Sequence, residues 1–303
     1  MGSTAPAERK VVVITGSTSG IGKELAERLH PKGYNIVVSG RRSELGQALA
    51  NELDPTGETA IFVQCDVASH ASQANLLKTT WDKWKRLDVF IANAGIVDQT
   101  SRYNLSRKDA PIEDVPPEPE LKLTDIDFKG VVYGTELAVH YMRHNPPHAR
   151  GGKIMITGSI AAIYPVPIIP EYSAVKAAAL QWARVMAPML AQEGITINNI
   201  LPNGYDTDIM PGFQEAFLEE HLTDKECLMK AYDVFLDDVA NEKTGQTIET
   251  AYKSHYYHDI PPHKSGNVIA RSERVYEPWF ELIHGARSGL PTAIKEPLRK
   301  PAE

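Results

Sequence analysis

The sequence is poor in cysteine, in long apolar runs and in positive charge, and each shortage excludes a class of protein. Two cysteines, Cys65 and Cys227, cannot build a disulfide framework, so we expect a reducing, cytoplasmic setting. No apolar run approaches the length of about 18 residues that spans a membrane, and the N-terminus lacks the apolar segment of a secretory signal. The net charge of −7 argues against nucleic acid as a partner.

Histidine is present without the arrangement of a metal site. The segment HYYH runs from His255 to His258, and His263 and His284 follow it. No carboxylate or cysteine is spaced to complete a ligand set with these histidines. We therefore predict no metal.

The first two thirds of the chain alternate strand and helix patterns. Continuous apolar, β-branched segments such as KVVVIT are typical of strands that are buried on both faces. Six such segments are predicted as strands: 10–15, 34–39, 60–65, 88–93, 153–157 and 196–200. Amphipathic helical patterns separate them, which predicts an α/β fold with a doubly wound parallel sheet.

We predict a single domain over 1–303. Its core covers 10–207 and 245–255, a substrate cap covers 208–244, and a C-terminal arm covers 256–303. Within the cap, Phe213, Phe217 and Leu218 mark one amphipathic helix. A second such helix is marked by Leu228, Tyr232, Phe235 and Leu236. The polar, proline-rich segment 103–123 is predicted as a loop.

The segment TGSTSGIG lies between the first strand and the first helix. Glycines there let the backbone approach a pyrophosphate, which the free N–H groups at the helix N-terminus then bind. The alternative is a plain strand-to-helix turn. The predicted phosphate contacts are Gly16, Thr18, Ser19, Gly20, Ile21 and Gly22.

Further polar motifs follow the later strands in order. Asp66 and Val67 follow the third strand, and Asn93, Ala94 and Gly95 follow the fourth. Ser159 follows the fifth strand, and the motif YSAVK then presents Tyr172 and Lys176 on one helix face. An ammonium beside a phenol favours the phenolate, so this tyrosine can exchange a proton.

Together these motifs resemble the short-chain dehydrogenase/reductase family, single-domain branch, over about residues 11–207. The resemblance implies a Rossmann-type sheet, a bound nicotinamide cofactor and assembly as a homodimer or homotetramer. It also implies that Ser159 binds the substrate oxygen, Tyr172 moves the proton, and Lys176 tunes Tyr172 and holds the nicotinamide ribose. The subgroup resembles proteins like 15-hydroxyprostaglandin dehydrogenase. By the same resemblance, the remaining cofactor contacts are Asp66, Val67, Asn93, Ala94, Gly95, Pro202 and Thr207.

The end of the second strand predicts which nicotinamide cofactor is bound. Where an acid would bind the ribose 2′-OH of NAD, this chain has Gly40, followed by Arg41 and Arg42. A guanidinium binds a 2′-phosphate through paired hydrogen bonds, so we predict NADP(H), with Arg41 as the main contact and Ser39 and Arg42 as lesser ones. The alternative is that both arginines face solvent at a helix start.

Two positions depart from the family pattern. Asn203 replaces a glycine after the sixth strand, and we expect it to tolerate positive φ. Asp127 replaces the catalytic asparagine of the family and is our fourth predicted catalytic residue. A capping box of Thr124 with Asp127 is the other interpretation. The stripe through Asp127, Gly130, Gly134, Ala138 and Tyr141 places the acid on the inward helix face.

The sequence therefore predicts an NADPH-dependent carbonyl reductase, or secondary-alcohol dehydrogenase, for an apolar and possibly bulky small molecule. One alternative keeps the fold and bound NADP but performs non-redox acid–base chemistry, namely isomerisation, dehydration or cyclisation. A third is a cofactor-binding module that acts through a partner.

Overall fold

The computed structural model describes residues 8–210, 212–266 and 268. The strands are β1 Lys10–Ile14, β2 Tyr34–Gly40, β3 Ala60–Gln64, β4 Val89–Ala92, β5 Gly152–Thr157, β6 Ile195–Pro202, β7 Thr247–Ala251 and β8 Ser254–Tyr257. The helices are α1 Gly20–Leu29, α2 Ser43–Leu53, α3 His70–Trp84, α4 Lys122–Thr124, α5 Gly130–Arg143, α6 Pro170–Leu190, α7 Phe213–Ala216 and α8 Lys225–Leu236. A π-helical turn, Asp125–Lys129, joins α4 to α5. Among these described residues, no helix is long and apolar enough to cross a membrane.

The strands form one sheet in the order β3-β2-β1-β4-β5-β6-β7-β8. Every neighbouring pair is parallel except β7 and β8, which are antiparallel. The prediction of a doubly wound parallel sheet is confirmed, and the six predicted strands are β1 to β6. Because β1 pairs with both β2 and β4, the strand order reverses between β1 and β4. In such sheets, ligands bind beyond the carboxyl ends of the strands at this point of reversal.

Helices cover both faces of the sheet. On one face, α3 packs on β1 and β3, α5 on β4 and β5, and α6 on β5 and β6, with Met142 and Ala179 fully buried. On the other face, α1 packs on β1 and β2, α2 on β2 and β3, and α8 on β5 to β8, with Leu25 and Tyr232 fully buried. All seven residues of β2 are buried, which explains the apolar run Ile36, Val37 and Val38 at its centre.

The segment that we predicted as a substrate cap contains one helix of the core. Leu228 and Phe235 of α8 are buried in the cluster that also contains residues of β1 and α1. Arg28 of α1 binds Asp233 of α8 at 2.5 Å, which fixes the helix on the sheet. The predicted anchors Phe217 and Leu218 are exposed, at 37% and 62%, and α7 ends before them at Ala216. The first predicted cap helix is therefore reduced to four residues that exclude two of its predicted anchors, and the second belongs to the core.

Two predicted segments remain, the loop over 103–123 and the C-terminal arm that begins at residue 256. The loop over 103–123 contains one short 3₁₀ turn, Leu105–Arg107, before α4 begins at Lys122. The chain divides into two compact units, Met1–His258 and Asp259–Glu303. The start of the predicted C-terminal arm, Tyr256 and Tyr257, lies in β8 of the first unit. Residue 267 and residues 269–303 of that arm lie outside the described residues.

Candidate active site

The glycine loop after β1 lies against the end of β4. Gly16 has φ +64°, and a Cβ on it would lie 2.7 Å from the Cα of Ala94. A Cβ on Gly22 would lie 2.6 Å from the Nδ2 of Asn93. Ser19 caps α1 without a side-chain hydrogen bond, and the first turn of α1 holds no acid. The N-terminus of α1 is therefore free to bind a phosphate, as expected of a pyrophosphate-binding loop, here called the glycine cradle.

Asn93 holds this loop in place. Its Nδ2 donates to the carbonyl oxygens of Thr15, at 3.0 Å, and Gly16, at 3.2 Å. Its Oδ1 accepts from the hydroxyl of Thr157 at 3.1 Å, so one side chain connects β1, β4 and β5. The same Thr157 hydroxyl bonds the phenol of Tyr232 at 2.6 Å, and burial raises the pKa of that phenol. The core helix α8 thus supports the floor of the site.

The end of β2 places arginines beside the glycine loop. Gly40 lies against Thr18, since a Cβ there would be 2.9 Å from the Thr18 Cγ2. Arg42 donates from Nη2 to the Thr18 hydroxyl at 3.0 Å, and Arg41 is exposed at the cavity rim. Ser39 is fully buried and does not line the cavity, so its predicted cofactor contact is wrong. Its backbone instead bonds Ser17.

Asp66 and Val67 follow β3 at the same end of the cavity. Asp66 is exposed, and its Oδ1 accepts from the backbone N–H of Ala68 at 3.1 Å. The neighbouring Cys65 also reaches the cavity, and burial raises the pKa of its thiol. A raised pKa disfavours the thiolate, which is the nucleophilic form of a cysteine.

Ser159, Tyr172 and Lys176 meet at the other end of the cavity. Ser159 follows β5, and its Oγ accepts from the N–H of Ala161 at 3.2 Å. Tyr172 lies in the first turn of α6 and Lys176 one turn later, as the spacing predicted. The Lys176 Nζ lies 5.2 Å from the centroid of the Tyr172 ring and donates to the carbonyl of Thr157 at 3.2 Å.

Asp127 lies in the π-helical turn and faces inward, with a side chain that is 0% exposed. Its Oδ2 is 3.0 Å from the Lys176 Nζ, and its Oδ1 accepts from the N–H of Ile96 at 2.9 Å. Burial raises the pKa of Asp127, against the pull of Lys176. Burial is the strongest influence on the pKa of Lys176 and acts to lower it, but Asp127 and Tyr172 together outweigh it and hold that pKa above its ordinary value.

The capping-box interpretation of Asp127 is wrong. Thr124 has helical φ and ψ and makes no capping hydrogen bond; its hydroxyl donates to Glu171 at 3.0 Å. Because residue 95 is a glycine without a Cβ, its backbone can pass close to the buried pair of Asp127 and Lys176. A Cβ on Gly95 would lie 2.7 Å from the Asp127 Oδ2 and 3.3 Å from the Lys176 Nζ.

The segment after β6 closes the cavity over the glycine loop. Pro202 and Thr207 both line it, and the Thr207 Cγ2 would lie 3.1 Å from a Cβ on Gly20. Asn203 also lines the cavity but does not have positive φ, so the expected turn geometry is absent there. Its Oδ1 instead accepts from the N–H of Gly204 at 2.8 Å.

These segments enclose one cavity of about 490 Å³. Nearly all the predicted site residues line it; the exceptions are Gly22, Ser39 and Asp127. The wall residues that were not predicted include Ile96, Val97, Gln99, Ile126, Gly204, Tyr205, Asp208, Ile209 and Met210. Only their position along the chain could have indicated them, because they follow β4 or β6, or precede α5, at the carboxyl edge of the sheet.

The histidines lie apart from this cavity. The Nε2 of His255 is 2.7 Å from the carbonyl oxygen of Cys227, and that of His258 is 2.5 Å from the Oε2 of Glu249. No group of three or more metal-binding side chains occurs within the part of the chain that the structure describes. His284 lies outside that part.

A family model for the short chain dehydrogenase matches residues 10–216, which is more than half of the chain. The chain belongs to the short-chain dehydrogenase/reductase family. A short-chain dehydrogenase/reductase of Penicillium rubens, prx6, is 38% identical over 297 residues, covering 95% of this chain and 98% of the relative. The NAD(+) 15-hydroxyprostaglandin dehydrogenase of Mus musculus is 29% identical over 233 residues, covering 74% and 80%.

A solved structure gives the same fold. The 3-ketoacyl-(acyl-carrier-protein) reductase from Brucella melitensis, complexed with NADH, matches with a TM-score of 0.68. It is 22% identical, and the match covers 82% of this chain and 99% of that protein. Membership of the family, shown by the family model and by prx6, makes this chain an oxidoreductase of the short-chain dehydrogenase/reductase type and indicates a nicotinamide cofactor. The glycine cradle and the open N-terminus of α1 fit such a cofactor.

Proposed function

We propose that this protein is an NADP(H)-dependent carbonyl reductase, or secondary-alcohol dehydrogenase, for an apolar and bulky small molecule. The observation that carries the proposal is the meeting of Ser159, Tyr172 and Lys176 at one end of a cavity whose other end is the glycine cradle. A reduced nicotinamide supplies the hydride when the cofactor is bound. The cavity connects the phosphate-binding and proton-transferring groups, as such a reaction requires.

In this reaction, three side chains have separate tasks. The Ser159 hydroxyl donates a hydrogen bond to the substrate carbonyl oxygen and orients it. Tyr172 gives its phenolic proton to the same oxygen as negative charge develops there. Lys176, held by Asp127 and the carbonyl of Thr157, stabilises the phenolate that remains on Tyr172 and binds the nicotinamide ribose.

Arg42 supports the choice of NADP(H). Its guanidinium is held by the hydroxyl of Thr18 beside Gly40, where an acid would repel a 2′-phosphate. The sequence favoured Arg41 as the main contact, but the hydrogen bond to the glycine loop favours Arg42. We propose that Arg42 binds the 2′-phosphate and that Arg41 adds to the local positive charge.

The walls at the substrate end support an apolar substrate. Ile96, Val97, Ile126, Ile209 and Met210 line the cavity, and large apolar walls select large apolar ligands. We also propose a homodimer or homotetramer that acts in the cytoplasm, without nucleic acid or membrane partners.

The non-redox alternative relies on the acid at position 127. Asp127 does not line the cavity and lies behind Lys176, so it has no direct route to a substrate. This placement favours an indirect role and weighs against acid–base chemistry by Asp127 itself. Intact Ser159, Tyr172 and Lys176 weigh against a binding module without catalysis.

The proposal is tested by titrating the purified protein with NADPH and with NADH, followed by turnover of a panel of apolar ketones. We expect tighter binding of NADPH, and a loss of about tenfold or more in that preference in Arg42→Ala. Arg143 is exposed, pairs with Glu193 and does not line the cavity, so Arg143→Ala serves as the matched control. Equal affinity for both cofactors would overturn the NADP(H) assignment, and full turnover in Tyr172→Phe would overturn the mechanism.

A further inference from the structure

Tyr172 lies in the first turn of α6. The backbone N–H groups of a first helical turn have no hydrogen-bond partner within the helix. Asp98 supplies partners for two of them. Its Oδ1 accepts from the N–H of Glu171 at 3.1 Å, and its Oδ2 accepts from the N–H of Tyr172 at 2.9 Å. Both oxygens of one carboxylate are therefore bound to the backbone that carries the phenol.

The backbone next to Asp98 also holds the buried ion pair. Two residues earlier, the N–H of Ile96 donates to Asp127, and the side chain of Asp127 contacts Lys176. The short segment 96–98 thus bonds Asp127 through its main chain and Tyr172 through the Asp98 side chain. A shift of this segment would displace the tyrosine and the lysine relative to each other.

Glu171 makes a second set of contacts that hold the first turn of α6. Its Oε1 accepts from the N–H of Thr124 at 3.2 Å, one helical turn before Asp127. Its Oε2 accepts from the guanidinium of Arg102, and Arg102 also donates to the carbonyl of Glu120 at 2.9 Å. The Glu171 side chain is only 10% exposed. The ends of the loop over 103–123 are therefore tied to the first turn of α6.

We propose that Asp98 is a positioning residue for Tyr172, and that Arg102, through Glu171, makes the order of the 103–123 loop a condition for a well-placed tyrosine. The inference rests on the proposed function, because Tyr172 must be the proton donor for its position to matter. Neither Asp98 nor Arg102 belongs to a motif that marks the family. Their role follows from the contacts with the helix that carries the catalytic pair.

The test compares Asp98→Ala and Asp98→Asn with Asp224→Ala as a matched control. Asp224 accepts from a backbone N–H in the first turn of α8, that of Cys227 at 3.0 Å, and like Asp98 it does not line the cavity. In Asp98→Ala we expect kcat to fall by about 10- to 100-fold, because small misplacements of a reacting group have effects of this size. The KM for NADPH should change by less than about twofold, since the cofactor cradle is untouched. Asp98→Asn should lie between, because an amide can accept only one of the two hydrogen bonds.

A second readout does not depend on turnover. In Asp98→Ala, amide hydrogen exchange should lose protection at residues 171–176 and nowhere in α8, whereas Asp224→Ala should show the reverse. Arg102→Met should give a smaller loss at the same amides, and Arg143→Met, which removes the exposed pair with Glu193 outside the loop, should give none. Unchanged protection at 171–176 in Asp98→Ala overturns the inference, whether or not any ketone is reduced. Lost protection with wild-type kcat also overturns it, whereas inactivity of the wild-type protein counts against the proposed function alone.

Discussion

The buried pair of Asp127 and Lys176 allows a specific prediction for Asp127→Asn. The amide oxygen of the variant can still accept from Ile96, so the local backbone keeps its hydrogen bond. The amide nitrogen would face the Lys176 Nζ, which is also a donor, at about the place of the Asp127 Oδ2. Lys176 thereby loses its negative partner while it stays buried, and its pKa falls because only Tyr172 then opposes the effect of burial.

The size of the effect follows from the 3.0 Å contact. Two unit charges at this distance attract by about 5 kcal/mol at an effective dielectric constant of about 20. A change of about 1.4 kcal/mol already shifts a protonation equilibrium tenfold, so loss of a quarter of the attraction is enough to measure. Removing one partner of a buried pair also costs about 3–5 kcal/mol of stability when the other stays charged.

The sign of the pH dependence follows from the direction of this shift. In the wild type, the raised pKa of Lys176 keeps it charged at neutral pH, and the stabilisation by the pair is lost only as pH rises through the pKa of folded Lys176. Removing Asp127 brings that loss to lower pH. We expect Asp127→Asn to keep activity within about threefold at about pH 6, and its activity at about pH 9 relative to pH 6 to fall about tenfold below the wild-type ratio.

The assay is the pH profile of kcat/KM from about pH 6 to about pH 9, with cofactor binding measured on the same samples. Asp125→Asn is the matched control, because Asp125 lies in the same turn and pairs with Lys129 at 2.7 Å on the exposed surface. Exposed pairs contribute about 0–1 kcal/mol, so this variant should keep the wild-type profile. An unchanged profile in Asp127→Asn would refute the coupling to Lys176. A folded, NADPH-binding variant that is inactive at every pH would give Asp127 a chemical role of its own.

Three further outcomes are expected. Gly95→Ala should lower kcat about tenfold or more, because its Cβ would lie 2.7 Å from the Asp127 Oδ2; steady-state kinetics measures this. Leu228→Ala should lower the free energy of unfolding by about 2–5 kcal/mol in urea titrations. Leu218 is 62% exposed, so Leu218→Ala should change the same free energy by less than about 0.5 kcal/mol. Equal effects of the two substitutions would contradict the core position of α8. Tyr205→Phe removes the bond from the Tyr205 phenol to Glu24 and should speed NADPH release in stopped-flow experiments, since Tyr205 lines the cavity above α1.

Much of the sheet was predictable because its strands are buried on both faces and therefore read as continuous apolar runs. The strands β7 and β8 carry no such signal: β7 contains Glu249, and β8 reads SHYY at the sheet edge. The position of α8 was not predictable either. Its amphipathic pattern is the same for a cap and for a core helix, and only long-range contacts such as Arg28 with Asp233 distinguish them.

The site was predictable where a motif carries the chemistry. Gly16, Ser159, Tyr172 and Lys176 all reach the cavity, because short connections place them at the carboxyl edge of the sheet. The inward position of Asp127 followed from helical periodicity. The absence of a capping box could not be predicted, because the sequence of a capping box is the same whether or not Thr124 already has helical φ and ψ. Contacts made by unmarked side chains, such as Asp98 on Tyr172, have no local sequence signal.

The central claim is that hydride passes to a substrate carbonyl while Tyr172 supplies the proton. The most direct measurement uses NADPH with deuterium in the transferred position and determines the label in the product by mass spectrometry. We expect one deuterium on the carbinol carbon for each NADPH consumed, and no labelled product from Tyr172→Phe, although that variant still binds NADPH. Product that forms without deuterium and without loss of NADPH would contradict the account and establish the non-redox alternative.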